Sequence, residues 1–260
     1  MTAIKRISSR DNPYFKSLHR ISTSARERRE AGQTLLDGTH LLRAYLDAGN
    51  NPLQLLINEQ AMHDAEIASL LDNCAVPQTQ LDNALFAQLS ELKTPNGLLA
   101  LIDIPTAKAK ISHSQFALLL EDIQDPGNLG SILRSAAAAG CDAVFLSQGC
   151  ADAWSPKVLR AGMGGHFALN LYESADLLQV AAEFTGKILS ASLQAKESLY
   201  DINLRGKLAF AIGNEGAGLS QSLLDAVQQR FIIPMPGKVE SLNAAAATAV
   251  CLFEAVRQRL

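Results

Sequence analysis

The chain has 260 residues, 48% hydrophobic and 19% charged, with a formal net charge of −3. That length and apolar content support one large or two small folded domains and argue against disorder. Cys74, Cys141, Cys150 and Cys251 stand apart with no C-x-x-C pair, no apolar run reaches membrane-spanning length and no secretory signal pattern opens the chain, so a cytoplasmic protein without metal, disulfides or membrane contact is expected.

Charge is unevenly placed. Residues 1–43 carry nine basic side chains (Lys5, Arg6, Arg10, Lys16, Arg20, Arg26, Arg28, Arg29, Arg43) against four acids (Asp11, Glu27, Glu30, Asp37), on an otherwise acidic chain. Such a stretch is a footprint of nucleic-acid contact, with Arg26, Arg28 and Arg29 as its densest cluster; a solvated helix face fits the same pattern. Up to Gly32 the chain reads as polar helix, started by Asn12 as cap with Pro13 at the first helical position. A strand over Thr34–Asp37, a helix over Gly38–Ala48, a strand over Pro52–Ile57, a helix over Glu59–Leu71 and a strand over Leu98–Ile102 follow. Strands alternating with helices predict a small α/β domain over 1–103. Residues 104–115 are polar, contain Pro105 and read as a linker.

The second domain, over 116–260, opens on the apolar strand Ala117–Leu120. Further strands are expected at Ala143–Ser147, Ala168–Leu171, Lys187–Ser192, Leu208–Ile212 and Phe231–Pro234. Helical patterns lie between most of them, at Leu129–Ala139, Ser155–Met163, Ala175–Phe184 and Ser220–Val227, and a last helix runs from about Leu242 to Arg259. Strands apolar on both faces predict a parallel sheet covered by helices.

Three turn-rich segments punctuate this domain: Asp125-Pro-Gly-Asn128-Leu-Gly130-Ser-Ile-Leu-Arg134, Gly213-Asn-Glu215-Gly216-Ala-Gly218-Leu219, and Ile233-Pro234-Met-Pro-Gly237-Lys-Val-Glu-Ser241-Leu242-Asn243. Each joins a strand end to a helix start, where α/β proteins bind ligands. Taken singly they are weak signals. The spacing G-x-x-G-x-G is neither a dinucleotide fingerprint nor a P-loop. Asp125, Asn128, Ser241 and Asn243 all suit helix caps. Arg134 says more, because a charge beside Ala136–Ala139 is costly without a partner. A lone His166 among glycines invites a catalytic reading.

Together the three segments resemble the three motifs of the SpoU (TrmH-like) RNA ribose 2′-O-methyltransferases of the SPOUT superfamily. The resemblance extends through Ser155-Pro156-Lys157-Val-Leu-Arg160. The region from Ile7 to Gly38 is similar to the substrate-binding domain many members carry. The resemblance implies an α/β protein: a small N-terminal ribosomal-protein-like substrate-binding domain and a C-terminal parallel-sheet domain with a trefoil knot. It further implies S-adenosyl-L-methionine as cofactor, structured RNA (rRNA or tRNA, rRNA preferred) as substrate, and a homodimer in which a partner's first motif completes each site. By position, Asn128, Arg134, Glu215, Ser241 and Asn243 would form the catalytic set. Ile212, Gly213, Ile233, Met235 and Leu242 would contact the cofactor; Lys157 and Arg160 are candidate phosphate contacts, and surface salt bridges fit them equally. A catalytically silent RNA-binding factor and a base-directed methyltransferase on the same fold are the competing readings.

Overall fold

The computed structural model describes residues 4–107, 109–214, 216–239 and 241–260. Two compact units emerge. One comprises Met1–Pro105 with Trp154–Phe167; the other comprises Thr106–Ala153 with Ala168–Leu260.

The first unit is built on a five-stranded sheet of β1 (Lys5–Ile7), β2 (Gln33–Asp37), β3 (Gln54–Ile57), β4 (Gln78–Leu81) and β5 (Leu98–Asp103), in the order β1-β4-β3-β5-β2. β1, β4 and β3 run parallel, and β5 is antiparallel to both of its neighbours. Its helices are α1 (Pro13–Thr23), α2 (Ala25–Ala31), α3 (Thr39–Asp47), α4 (Ala65–Asn73) and α5 (Asn83–Leu89). Phe15, Leu18 and Ile21 of α1 join Leu85, Phe86 and Leu89 of α5 and sheet residues such as Leu35, Leu56 and Leu99 in one core.

The polar N-terminal stretch forms two helices. Asn12 Oδ1 accepts from the backbone of Tyr14 and Phe15 to start α1. Extended Ser24 ends it and caps α2 through Glu27 N, and left-handed Gly32 (φ 63°) closes α2. Arg28 departs from the surface role expected of it. It is only 4% exposed, and its guanidinium donates to Ile21 O at 2.6 Å and Ser22 O at 3.1 Å. It satisfies carbonyls that the end of α1 leaves without helical donors. The expected helix over Glu59–Leu71 is likewise divided: a 3-10 turn at Gln60–His63, then α4 restarted by Asp64 as cap. β1, β4 and α5 have no counterpart among the elements expected from sequence.

Trp154–Phe167 joins this unit although its sequence neighbours do not. Its helix α7 (Pro156–Gly162) packs on β2, Thr34 Oγ1 donates to Trp154 O at 2.8 Å, and Arg160 donates to Glu91 O at 3.2 Å. His166 is 1% exposed, its ring 5.4 Å from that of Trp154. It is a core side chain.

The second unit is a six-stranded sheet of β6 (Phe116–Leu120), β7 (Ala143–Leu146), β8 (Asn170–Tyr172), β9 (Lys187–Ala191), β10 (Leu208–Ile212) and β11 (Gln229–Phe231), ordered β11-β9-β10-β6-β7-β8. Every pairing is parallel, as the doubly apolar strands predict. All of β6 and β10 is buried. Ala117, Leu119, Ala209 and Ala211 pack with α8 (Leu177–Glu183) and α9 (Gln221–Ala226). Side chains alternate across a strand, so their neighbours face the opposite layer, where α6 (Pro126–Ala138) and α10 (Ala244–Arg259) pack on each other. Two expected edges move. β11 ends at Phe231, leaving Ile232–Pro234 beyond the strand, and β8 starts only at Asn170, after a 3-10 turn at Gly165–Ala168. No helix among the described residues is long and apolar enough to cross a membrane.

Candidate active site

Because the sheet is parallel, the segments following β6, β9, β10 and β11 leave it at one edge. After β6, Asp122 takes a left-handed φ of 55°, rare for a side chain with a Cβ. It is held there by Ser147, whose Oγ accepts from Asp122 N at 3.0 Å and donates to Asp122 Oδ1 at 2.7 Å. Asp122 O in turn accepts from Asn214 Nδ2 at 3.0 Å. A residue held in this conformation stores about 1–3 kcal/mol, and here it ties the exit of β6 to the second motif.

The second motif is a tight loop. Asn214 and Gly218 exchange backbone hydrogen bonds, and Asn214 Oδ1 accepts from Gly216 N and Ala217 N. A Cβ on Gly213 would overlap the Gly218 carbonyl, so glycine is required there for close backbone approach. The carboxylate of Glu121 grips the far end, accepting from Ser220 N at 2.6 Å and Ser220 Oγ at 2.7 Å. Glu215 lies outside the described residues.

The first and third motifs meet through a direct hydrogen bond, Asn243 Nδ2 to Asn128 Oδ1, at 2.9 Å. Each residue is fixed by a helix start. Asp125 caps α6 through Asn128 N at 2.7 Å. Asn243 Oδ1 caps α10 through Ala245 N and Ala246 N, which is why that helix begins at Ala244 rather than Leu242. Arg134 sits farther along α6, exposed, with no hydrogen bond or ion pair among the described residues.

Beside these groups a cavity of about 140 Å³ is lined by Ala191, Ser192, Leu193, Ile232, Ile233, Met235, Ser241, Leu242 and Ala247. Of the residues expected to hold a cofactor, Ile233, Met235 and Leu242 line it; Ile212 and Gly213 do not. The lining residues missed by the sequence reading are the exit of β9, Ile232 and Ala247. The exit of β9 was findable from the rule that ligands sit outside the carboxyl ends of parallel strands. The volume is below the ~300 Å³ of a typical small-molecule site, so it suits one flat apolar portion of a larger cofactor. Leu193 and Leu242 leave 66% and 39% of their surface exposed at its rim.

The thiols of this unit are poor nucleophiles. Burial pushes Cys251 up to about 12 and raises Cys141 and Cys150 as well. No group of three or more His, Cys, Asp or Glu placed to hold a metal occurs among the described residues.

Residues 115–253 match the profile of the SpoU rRNA Methylase family, and residues 12–100 match that of the MRM3-like substrate binding domain. An uncharacterised tRNA/rRNA methyltransferase of Synechocystis sp. is 34% identical over 263 residues, spanning 98% of this chain and 95% of its own. The 23S rRNA (guanosine(2553)-2′-O)-methyltransferase RlmP of Bacillus subtilis is 30% identical over 255 residues, spanning 96% of this chain and 98% of its own. The structure of the SpoU methyltransferase AviRb from Streptomyces viridochromogenes, in complex with AdoMet, is similar with a TM-score of 0.83 at 26% identity, covering 95% of this chain and 99% of that one.

Proposed function

Because the chain belongs to the SpoU rRNA methylase family, we propose that it transfers a methyl group from S-adenosyl-L-methionine to a ribose 2′-hydroxyl of structured RNA, with ribosomal RNA as the substrate. The observation that carries this reading is the junction of the first and third motifs. Ser241 and Leu242 line the apolar cavity, and the next residue, Asn243, bonds directly to Asn128. The cavity is largely apolar and is framed by the exits of β9 and β11, which fits an apolar portion of the cofactor. Ile233, Met235 and Leu242 would hold it there; bound, it supplies an electrophilic methyl group.

The chain's own residues then have separable tasks. A guanidinium is a very weak base, so in this reading the 2′-hydroxyl proton passes to solvent water rather than to Arg134. Arg134 stabilises the oxygen as negative charge develops and grips a neighbouring phosphate. Asn128 and Asn243 orient the ribose, and Ser241 and Glu215 complete the polar set. Ribosomal RNA is favoured by the named activity of the Bacillus relative and by the substrate-binding profile over residues 12–100. Incubation with methyl-labelled cofactor and rRNA from a strain lacking the gene is expected to label one ribose, read as a bond resistant to alkaline cleavage. Label on a base would convert the reading to base methylation. Cofactor binding without transfer to RNA would leave a silent binding factor.

The working form is proposed to be a cytoplasmic homodimer. The support is an exposed stripe on α10, where Phe253 is 48% exposed and Ala246, Val250 and Arg257 share its side, together with an Arg134 that has no partner among the described residues. Sedimentation at micromolar concentration is expected to give the mass of two chains; a fully active monomer would sink this assignment.

A further inference from the structure

The first unit contains a second concavity, about 350 Å³ in volume, lined by Arg10, Phe15, Lys16, His19, Arg20 and Gln88. That volume is within the ~300–1,000 Å³ range of pockets that seat a small molecule. Lys16, His19 and Arg20 stand at i, i+3 and i+4 of α1 and so share one face. Arg10 arrives from the turn before the Asn12 cap, and Gln88 from α5. Phe15, 3% exposed, forms the floor, with the His19 ring 6.2 Å from its own.

The charge of this pocket is only lightly compensated. Lys16 Nζ meets Asp11 at 2.9 Å, but the Asp11 side chain is 91% exposed. Arg20 meets Glu27 at 3.4 Å, and Arg10 makes no ion pair among the described residues. Exposed pairs of this kind hold weakly, and an arriving phosphate can displace them. Three cations, a ring and an amide around one hollow match the parts of a nucleotide. The cations suit its phosphates, the imidazole offers a stacking face, and the Gln88 amide offers both donor and acceptor to a base edge.

We propose that this pocket seats one nucleotide of an unpaired RNA segment, with phosphates on Arg10, Lys16 and Arg20 and the base against His19 and Gln88. The proposal rests on RNA being the substrate. It assigns recognition to a defined hollow of the first unit, whereas the methyl-transfer residues belong to the second.

The test uses the full chain and protein-free total rRNA from a strain lacking the gene, with affinity measured across a salt series. Removing one cation that neutralises a phosphate makes the slope of log affinity against log salt shallower by nearly one unit. Arg10→Gln/Lys16→Gln/Arg20→Gln is therefore expected to bind about 10- to 100-fold more weakly, with a slope shallower by roughly two to three. Cofactor affinity should not change. His19→Ala is expected to lose about tenfold in affinity with the slope intact, as for removal of a stacking surface. Arg26→Gln/Arg29→Gln removes charge from the same unit outside the pocket and should cost clearly less. A triple variant within twofold of wild type, a His19→Ala variant with unchanged affinity, or equal losses from the Arg26/Arg29 pair would overturn the pocket while leaving RNA methylation standing. A wild-type chain that binds cofactor but no RNA would overturn both.

Discussion

Replacing Arg134 with alanine is expected to lower methyl transfer by about 10²–10³-fold, the loss typical when one donor to a developing oxyanion is removed. Cofactor affinity should be unchanged, because Arg134 is not among the residues lining the cavity. The fold should tolerate the change equally well. The side chain is exposed on α6 and makes no hydrogen bond or ion pair among the described residues, and surface changes of this sort stay within about 0.5 kcal/mol. Arg134→Lys should fail too, since a point charge cannot reproduce the planar fork. Single-turnover rates with saturating RNA, alongside cofactor titration, separate the two effects. Turnover like wild type in Arg134→Ala would remove this residue from the mechanism.

Arg28→Met is expected to destabilise the first unit by about 2–4 kcal/mol. The buried guanidinium supplies two short bonds to the Ile21 and Ser22 carbonyls. Hydrogen bonds from charged donors contribute roughly 1.5–3 kcal/mol each, and leaving buried carbonyls bare adds its own cost. Chemical denaturation of the full chain would show the loss, against Arg26→Met and Arg29→Met as neighbours that should stay within about 0.5 kcal/mol. A midpoint for Arg28→Met indistinguishable from those two would show that its burial contributes nothing. RNA-binding tests on this stretch should therefore leave Arg28 in place, because its substitution reports on folding.

Legibility from sequence followed physical contrast. The second unit was readable because β6 and β10 are apolar on both faces, and only a parallel sheet covered by helices buries both. β4 was missed because Gln-Thr-Gln-Leu has one apolar residue in four, and its Thr79 is buried where its hydroxyl accepts from Gln54 Nε2 of β3. Arg28 was misplaced because sequence counts charges and cannot show where a helix end needs a donor. In the candidate site, Asn128, Ser241 and Asn243 were legible as caps and motif members, yet the bond between the two asparagines depends on α6 packing against α10. Ser192 and Leu193 carry no motif, and only their place at the exit of a parallel strand marked them. The trefoil knot implied by the family resemblance has no signature in periodicity at all.

The assignment of Trp154–Phe167 to the first unit fixes an order of events during synthesis. A ribosome delivers Met1–Pro105 early, but β2 waits for α7 and Thr34 for the Trp154 carbonyl until residue 167 has emerged. By then β6 and β7 are already outside the exit tunnel. The core between Ile7 and Leu101 can close before then, in the usual order in which an N-terminal domain folds first, but α7 reaches β2 only after part of the second unit has emerged. A gene fusion that exchanged only the first 105 codons would leave α7 and its contacts to β2 behind.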